Sequence, residues 1–226
     1  MDLSGIVSAL RSLPGDRVEH HLCDVCCELL SVSGAALTLT AGVPPGLLGS
    51  SDATAAVIED LQVTLGEGPT VDAGRLGVPV GEPDLAASRH PRWLAFRDGA
   101  AAAGAAAVFA FPLRIGAVQV GVLTLYQRRR GALSDEQHSG ALAIAGVLAH
   151  TLLAIQAQAP PGVVADALGA LAEHGAEVHQ AAGMIAVRLG TPVGDALVLL
   201  RARAYGDDRT LAETAREVVA GRLSID

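Results

Sequence analysis

Apolar residues recur at intervals of three and four residues over several parts of the chain, and this spacing predicts amphipathic helices. Capping boxes, with Ser134 and Thr210 as the capping residues, mark two of the helix starts. Thr191 before Pro192 predicts a third start, with threonine at the N-cap and proline in the first helical position. The predicted helices cover residues 16–30, 93–102, 134–158, 164–189, 192–204 and 211–219.

Other apolar runs contain β-branched and aromatic residues in the patterns that predict strands. Residues 107–115 and 118–126 form the strongest pair and predict a hairpin, with Pro112 at an edge or beside a bulge. The glycines that flank Glu67 predict a tight turn. Shorter strands are predicted at residues 35–40 (half-buried), 54–58 and 78–80, and loops at residues 42–51 and 84–92.

The order of these elements predicts two domains. Helix, strands, helix, hairpin and helix together predict an α+β domain, in which helices flank a sheet. Ala159-Pro-Pro-Gly162 then interrupts the pattern, and its prolines make a stiff hinge. We therefore divide the chain into an N-terminal segment (1–15), an α+β domain (16–158), a Pro-rich hinge (159–162) and a helical domain (163–226).

The longest predicted helix carries a heptad seam, in which residues are spaced alternately four and three apart. Gly175 weakens the seam, because glycine lowers helix stability and offers no side chain for packing. A seam of this length favours a paired helix, so we expect a coiled-coil homodimer. The seam residues are Val164, Leu168, Leu171, Gly175, Val178, Ala182, Ile185 and Leu189.

The helical domain resembles the ANTAR family over about residues 165–222. The resemblance is carried by Gln180-Ala-Ala-Gly-Met184, Leu200-Arg-Ala-Arg-Ala204 and Asp208-Arg-Thr-Leu211, with Ala196 and Ala215 at matching spacing. It implies a three-helix RNA-binding module of transcription antiterminators. Many members have lysine where this chain has Ala182, so either the lysine is dispensable here or the affinity for RNA is reduced.

This resemblance implies a set of RNA contacts. Arginine offers bidentate donors to phosphate or guanine, and glycine permits a close backbone approach. The targets would be hairpin loops in leader RNA, since unpaired bases are the ones that proteins read. Arg201 and Arg209 are expected to face the same partner, whereas a solvated helix face is an equal alternative for Arg203. The candidates are Gln180, Gly183, Arg188, Arg201, Arg203 and Arg209.

The α+β domain resembles a GAF domain over about residues 16–156. The matching segments come in family order: Leu65-Gly-Glu-Gly-Pro69, Asp84-Leu85, Arg92-Trp93-x-x-Phe96, Val108-Phe-Ala-Phe-Pro-Leu113 and Gly121-Val-Leu-Thr-Leu-Tyr126. The resemblance implies a sensor that often dimerises through its terminal helices. A small-molecule ligand would be lined by Trp93, Phe96, Phe109 and Phe111; the alternative is that these aromatic residues form the core.

Composition narrows the function further. The net charge is −8 and the chain has no lysine, which argues against non-specific binding to polyanions but permits a local arginine cluster. Cys23, Cys26 and Cys27 lie in one predicted helix and are expected to be small buried hydrophobic residues. No signal peptide, membrane span, catalytic motif, metal site or nameable cofactor is predicted, so we expect a cytoplasmic protein that is not an enzyme.

Two functions from different classes lead, and an enzyme that uses the GAF pocket is a weaker third. The first is a signal-responsive transcription antitermination regulator, in which the GAF domain gates binding of the ANTAR domain to hairpins in nascent leader RNA. The alternative is a transcription regulator whose helical tail binds a partner protein or duplex DNA, with the GAF domain as a dimerisation scaffold. The acidic net charge slightly favours the alternative, and the ANTAR spacing favours the first function more.

Overall fold

The computed structural model of the chain describes residues 18–40, 46–87, 93–158 and 164–225. The side chains of residues 18–20, 155–158 and 164–175 lie outside that description. So do the predicted N-terminal segment, the predicted hinge and the last part of the loop predicted at residues 84–92.

Helices and strands alternate through the first part of the chain, and helices alone follow. The helices are α1 (Val18–Leu30), α2 (Ala53–Leu65), α3 (Pro69–Leu76), α4 (Leu94–Ala102), α5 (Asp135–Gln158), α6 (Val164–Leu189), α7 (Val193–Gly206) and α8 (Leu211–Val219). The strands are β1 (Gly34–Leu39), β2 (Gly46–Ser50), β3 (Val80–Glu82), β4 (Ala107–Ile115) and β5 (Val118–Gln127). The α+β class predicted for the first domain is confirmed.

The described strands form one antiparallel sheet in the order β2-β1-β5-β4-β3. The predicted hairpin is confirmed, since β4 and β5 pair along their whole length. The register of this pair shifts between Leu113 and Arg114, so Pro112 lies next to a bulge, as predicted.

Helices cover both faces of the sheet. Helices α1 and α5 pack against one face, in a core that includes Leu37, Leu123 and Ile144. Helices α2, α3 and α4 cover the other face, around Ile58 and Phe96. Because both faces are covered, all residues of β1 are buried, and the prediction of a half-buried strand is wrong.

The strand predicted at residues 54–58 is also wrong, because this segment lies inside α2. Asp52 caps the helix by accepting a hydrogen bond from the backbone N–H of Ala55 at 2.7 Å. Gly66 ends it in the left-handed conformation, at a φ of 67°. Two more elements differ from expectation: β2 lies within the predicted loop 42–51, and α3 begins at Pro69 where no helix was predicted.

Helices α6, α7 and α8 pack on one another and form what we call the C-terminal module. The capping box predicted at Thr210 is confirmed, since Thr210 and Glu213 exchange backbone and side-chain hydrogen bonds at the start of α8. The cap predicted at Thr191 is wrong, because Pro192 occupies the N-cap of α7. The buried core of the module comprises Val178, Ala181, Ile185, Ala186, Ala196, Leu200, Ala204, Leu211, Ala215, Val218 and Ile225.

The described half of the heptad seam is used within the chain. Val178 and Ile185 belong to the core of the C-terminal module, and Ala182 is buried as well. The side chains of the other half, residues 164–175, lie outside the described ones. A homodimer through that half stays a prediction.

None of the helices in the described part of the chain has, by itself, the length and hydropathy of a membrane span. The segments Ala176–Leu189 and Val193–Gly206 meet that test only when they are taken together across a bend of 109°. Both segments contribute side chains to the core of the C-terminal module.

Candidate nucleic-acid interface

Most of the predicted RNA contacts lie on the open surface of the C-terminal module. Gln180 and Arg188 are exposed on α6, and Gly183 between them is partly exposed. Arg203 is exposed in the last turn of α7, and Arg209 is exposed in the turn before α8. The module thus presents an amide, an approachable stretch of backbone and guanidinium groups to a partner.

Gly183 lies at an open position of α6. A Cβ atom placed on Gly183 would have no atom within 4 Å outside its own helical turn. Packing within the described chain therefore does not require glycine here, although glycine in a helix interior is less stable than alanine by about 0.5–1 kcal/mol. A close approach by a partner would explain the missing side chain.

The exposed arginines differ in how the chain already holds them. Nε of Arg203 donates to Oδ2 of Asp207 at 2.7 Å, and Nη1 of Arg188 donates to the hydroxyl of Ser224 at 2.8 Å. Arg209 makes no side-chain hydrogen bond or ion pair with any described residue. Arg209 can therefore bind an anion without losing such a contact, although the anion would compete with the carboxylates of Glu213 and Glu217, whose pKa values the charge of Arg209 helps to lower.

Ala182, which stands where many ANTAR members have lysine, is only 1% exposed. The departure from the family pattern therefore falls inside the module. It does not alter the surface that carries Gln180 and Arg209.

Arg201 does not lie on this surface, and the expectation that Arg201 and Arg209 face one partner is wrong in this structure. The guanidinium of Arg201 packs against the first domain, where a Cβ atom on Gly66 would lie 2.7 Å from Nη1. Its Nε is buried without a hydrogen-bond partner in the described structure, and burial lowers the pKa of the guanidinium. A buried donor without a partner is unfavourable, so this contact is an imperfect one.

Helix α2 supplies one surface of the first domain against which the C-terminal module packs, through α7 and α8, and strand β2 contacts α6. Val63 packs against the apolar core of the module. The hydroxyl of Thr64 accepts a hydrogen bond from the backbone N–H of Leu211 at 3.3 Å, which satisfies one of the donors left unpaired at the start of α8. We call this region the α2 contact; it comprises Asp60, Val63, Thr64 and Gly66 on the first domain and Arg201, Leu211 and Glu213 on the C-terminal module.

Two acidic residues also meet in the α2 contact. Burial, and then the nearby carboxylate of Glu213, raise the pKa of Asp60 to about 6. The pKa of Glu213 is lowered instead, because its carboxylate accepts a hydrogen bond from the backbone N–H of Thr210 at 3.0 Å. Two like charges therefore oppose each other across the contact near neutral pH.

On the side that faces the sheet, α2 carries a buried polar network. The carboxylate of Glu59 accepts hydrogen bonds from the hydroxyls of Thr38 at 2.7 Å and Thr70 at 2.8 Å, and from Nε2 of Gln62 at 2.9 Å. The hydroxyls of Thr70 and Thr124 lie 2.7 Å apart. Burial raises the pKa of Glu59, whereas these hydrogen bonds favour its charged form. The same helix is thus tied both to the sheet and to the C-terminal module.

The aromatic residues predicted to line a ligand pocket do not face one cavity. Trp93 and Phe96 belong to the core between the sheet and helices α2 to α4. Phe109 and Phe111 belong to the core on the opposite face, with α1 and α5. All four are at most 8% exposed, so the prediction of a shared pocket is wrong and the alternative, that they form the core, is correct.

The Gly-Glu-Gly turn caps a helix that comes later in the chain. Gly66 and Gly68 both have positive φ, which confirms the predicted tight turn. Between them, Oε1 of Glu67 accepts a hydrogen bond from the backbone N–H of Phe96 at 2.9 Å. The first N–H groups of a helix lack partners within it, and Trp93 at the N-cap of α4 supplies no side-chain cap. Glu67 takes that role.

An open groove of about 510 Å³ lies at an edge of the first domain. Leu85 and several alanines line its apolar part, and Arg128, Arg129 and Arg130 line its polar part. Arg128 lies 3.5 Å from Asp52 and Arg130 lies 3.8 Å from Asp84, so carboxylates neutralise the arginine run in part. In the described part of the first domain, a small ligand could enter here rather than at the predicted aromatic set.

Two of the three cysteines are buried, as predicted. Burial raises the pKa of Cys26 to about 12 and also raises that of Cys23. A protonated, buried thiol is a poor nucleophile and a poor metal ligand. Within the described ranges, no cluster of three or more His, Cys, Asp or Glu side chains could hold a metal ion.

Solved structures share the architecture of the first domain. The chain is similar to the GAF domain of a phosphoenolpyruvate-protein phosphotransferase from Coxiella burnetii, with 18% identity, a TM-score of 0.55, and coverage of 69% of this chain and 93% of that one. It is also similar to the GAF domain of an Acinetobacter phosphoenolpyruvate-protein phosphotransferase, with 15% identity, a TM-score of 0.52, and coverage of 69% and 92%. The first domain has the GAF fold.

At these identities, the likeness establishes the fold of the GAF domain but no ligand for it. No protein-family profile and no curated protein matches the chain. The predicted GAF resemblance is therefore confirmed as a fold, and the ANTAR resemblance of the C-terminal module stays a prediction.

Proposed function

We propose that this chain is a signal-responsive regulator of transcription antitermination, whose C-terminal module is an ANTAR domain that binds hairpins in nascent leader RNA. The observation that supports this function is the open surface of the module, where Gln180, Gly183 and Arg209 are accessible. An amide and a guanidinium that makes no hydrogen bond with the described chain suit unpaired base edges and phosphates, which are the features that proteins recognise in hairpin loops.

Gating by the GAF domain is the second part of this proposal, and α2 supports it. The helix is tied to the sheet through the hydrogen bonds of Glu59, and it is tied to the module through Val63 and Thr64. A signal that moves α2 against the sheet would reach the module directly. Coupling of this kind needs a physical element that both sites share, and α2 is such an element.

Dimerisation is the third part. A dimer through the terminal helices of the GAF domain and residues 164–175 of α6 would carry two modules. Two modules on one dimer would bind paired hairpins more tightly than one module binds one hairpin, because the second binding step becomes intramolecular.

A fluorescence anisotropy titration of the full chain tests the RNA-binding function. We expect saturable binding to paired-hairpin RNA and weaker binding to duplex DNA of equal charge. Arg209→Ala should weaken RNA binding by roughly 1–3 kcal/mol if the arginine reads a base, or lower the salt slope by about one unit if it contacts a phosphate. Arg75→Ala is the matched control, because Arg75 is an exposed arginine on α3 of the GAF domain. Unchanged affinity in the Arg209 variant would remove this surface from RNA recognition.

One observation favours the alternative, in which the tail binds a protein. The C-terminal module exposes apolar side chains on α6 and α7, and contiguous apolar surface marks protein interaction sites. A module that binds only a protein would show no preference for hairpin RNA over duplex DNA in the same titration. The exposed apolar residues are Met184, Val187, Val193, Val198, Leu199 and Tyr205.

A further inference from the structure

The α2 contact removes one arginine from the surface of the C-terminal module. Arg201 and Arg203 lie on the same helix, two residues apart, yet Arg203 is exposed whereas Arg201 is half-buried against the GAF domain. A partner therefore cannot reach the buried part of Arg201 while this contact is closed.

The Arg201 guanidinium packs closely against Gly66. The φ of Gly66, at 67°, lies in the left-handed region that favours glycine, so the residue ends α2 without strain. A Cβ atom at this position would lie 2.7 Å from Nη1 and 2.9 Å from Cζ of Arg201. Glycine therefore serves the end of the helix and the fit of the arginine at the same time.

The balance of forces in the α2 contact suits a reversible closure. Partial burial of Val63, the 3.3 Å hydrogen bond from Leu211 to Thr64 and the contact of α6 with β2 favour it. The unpaired Nε of Arg201 opposes it, as does the juxtaposition of two carboxylates. A hydrogen bond contributes little net stability and an unsatisfied buried donor opposes with similar strength, so small changes can open the contact.

We propose that the α2 contact is an autoinhibitory latch, in which the C-terminal module rests closed on the GAF domain and Arg201 is shielded from partners. Displacement of α2 opens the module and exposes Arg201. The proposal that the module closes on the GAF domain depends only on the geometry of the α2 contact. The consequence that opening strengthens RNA binding rests on the proposed function.

The test uses one disruptive variant with a matched control. Val63→Asp puts a charge into the apolar part of the contact, and Val57→Asp puts the same charge on the exposed side of the same helix. Labelling with an arginine-specific dicarbonyl, followed by peptide mass spectrometry, measures the accessibility of Arg201, with Arg209 as the exposed internal standard. We expect Arg201 to react at least about tenfold faster in Val63→Asp than in the parent chain or the control, because a carboxylate placed against the apolar core of the module disfavours the closed state.

A milder variant keeps the test decisive if Val63→Asp fails to fold. Thr64→Val removes the hydroxyl that accepts from Leu211 and keeps the size of the side chain, whereas Thr64→Ser keeps the acceptor. Labelling of Arg201 and the radius of gyration from small-angle scattering should both rise in Thr64→Val and stay at the parent values in Thr64→Ser. Circular dichroism checks that each variant retains its fold.

Each outcome bears on the latch separately from the RNA function. Equal labelling of Arg201 and Arg209 in the parent, or no response to any α2 variant, would overturn the latch. If Arg201 responds as expected and no variant binds RNA, the latch stands and the proposed function fails. If the opening variants bind paired hairpins more tightly than Val57→Asp, both the latch and the proposed function are supported. If the variants open without any gain in RNA affinity, the inhibitory role of the latch is overturned.

Discussion

Gly183 lies inside a helix at a position where an alanine side chain would meet no other part of the described chain. Gly183→Ala should therefore raise the free energy of unfolding by about 0.5–1 kcal/mol, measured by urea denaturation. If the glycine serves the approach of RNA, the same change should weaken binding to paired hairpins. A variant with higher stability and lower RNA affinity would show that Gly183 costs stability but serves RNA binding.

Gly146→Ala in α5 is the control for that experiment, because Gly146 is also open to an added Cβ atom but lies in the GAF domain. It should stabilise the chain and leave RNA affinity unchanged. A Gly183→Ala variant that is stabilised and binds RNA like the parent would exclude Gly183 from the interface.

Glu67 is the second residue whose role can be measured. Its carboxylate caps α4 through the N–H of Phe96, so Glu67→Ala should lower the free energy of unfolding by about 0.5–2 kcal/mol in urea denaturation. Glu67→Gln retains an oxygen acceptor, so its free energy of unfolding should fall by less than that of Glu67→Ala. Equal stability of the parent and the alanine variant would contradict the capping role.

Local spacing predicted some caps and could not predict others. Thr210 and Glu213 are three residues apart, so the capping box at α8 was visible as a motif. Glu67 and Phe96 are 29 residues apart, and no periodicity joins them. The glycines on either side of Glu67 signalled a turn, but the partner of its side chain depends on how α4 folds back over α2.

At the scale of elements, α2 shows why a helix can be mistaken for a strand. Thr54 to Ile58 includes β-branched residues, which are typical of strands. The positions of α2 that face the sheet include Glu59 and Gln62, so the apolar stripe that marks a helix is interrupted by polar residues. These polar residues are buried because Thr38, Thr70 and Thr124 supply their hydrogen bonds from other elements, which a single segment cannot reveal.

Helix α6 presents the opposite case, in which the element was predicted and its partner was not. The heptad spacing fits a helix that packs on any neighbour, whether in the same chain or in a second copy. The small residues Ala196, Ala204 and Ala215 on α7 and α8 let those helices approach Val178 and Ile185 closely. The described half of the seam is therefore filled from within the chain.

This packing leads to a test at α6. Ile185→Ala should lower the free energy of unfolding by about 2–5 kcal/mol, since it removes buried methyl groups from the core of the module. The mass measured by light scattering should stay at the parent value. Val187→Ala is the control on the same helix, because Val187 is 87% exposed. A loss of mass in Ile185→Ala without a loss of stability would instead place Ile185 in a dimer interface.

At the scale of the whole molecule, the fold of the first domain and the helices of the C-terminal module could be predicted from the sequence, but the contact between them could not. Val63 and Thr64 lie in a segment with no clear helical stripe, and Arg201 was assigned to RNA because of its place in the ANTAR pattern. Contacts between domains leave no periodicity in either sequence segment. The net charge of −8 does not predict that Arg201 is half-buried between the two domains.

The same contact should respond to pH. The pKa of Asp60 is raised from 3.8 to about 6 by burial and by Glu213, the carboxylate that faces it from α8. The part of this shift that depends on the contact favours closure while Asp60 is protonated, and this contribution is lost as the pH rises through about 6. Asp60→Asn carries no charge at any pH and should keep the module closed.

Small-angle scattering over a pH series measures this effect. The radius of gyration of the parent should rise slightly between about pH 5 and pH 7, because closure weakens while most chains stay closed, whereas that of Asp60→Asn should stay constant over the same range. Glu59, whose pKa is also raised, and Glu213, whose pKa is lowered, are present in both chains, so their titration cancels in the comparison. A parent chain with a constant radius, or an Asp60→Asn variant that opens with the same midpoint, would show that repulsion between Asp60 and Glu213 does not control the closure. The expected difference would establish that the carboxylates of α2 and α8 weaken the closure of the C-terminal module on the GAF domain as the pH rises.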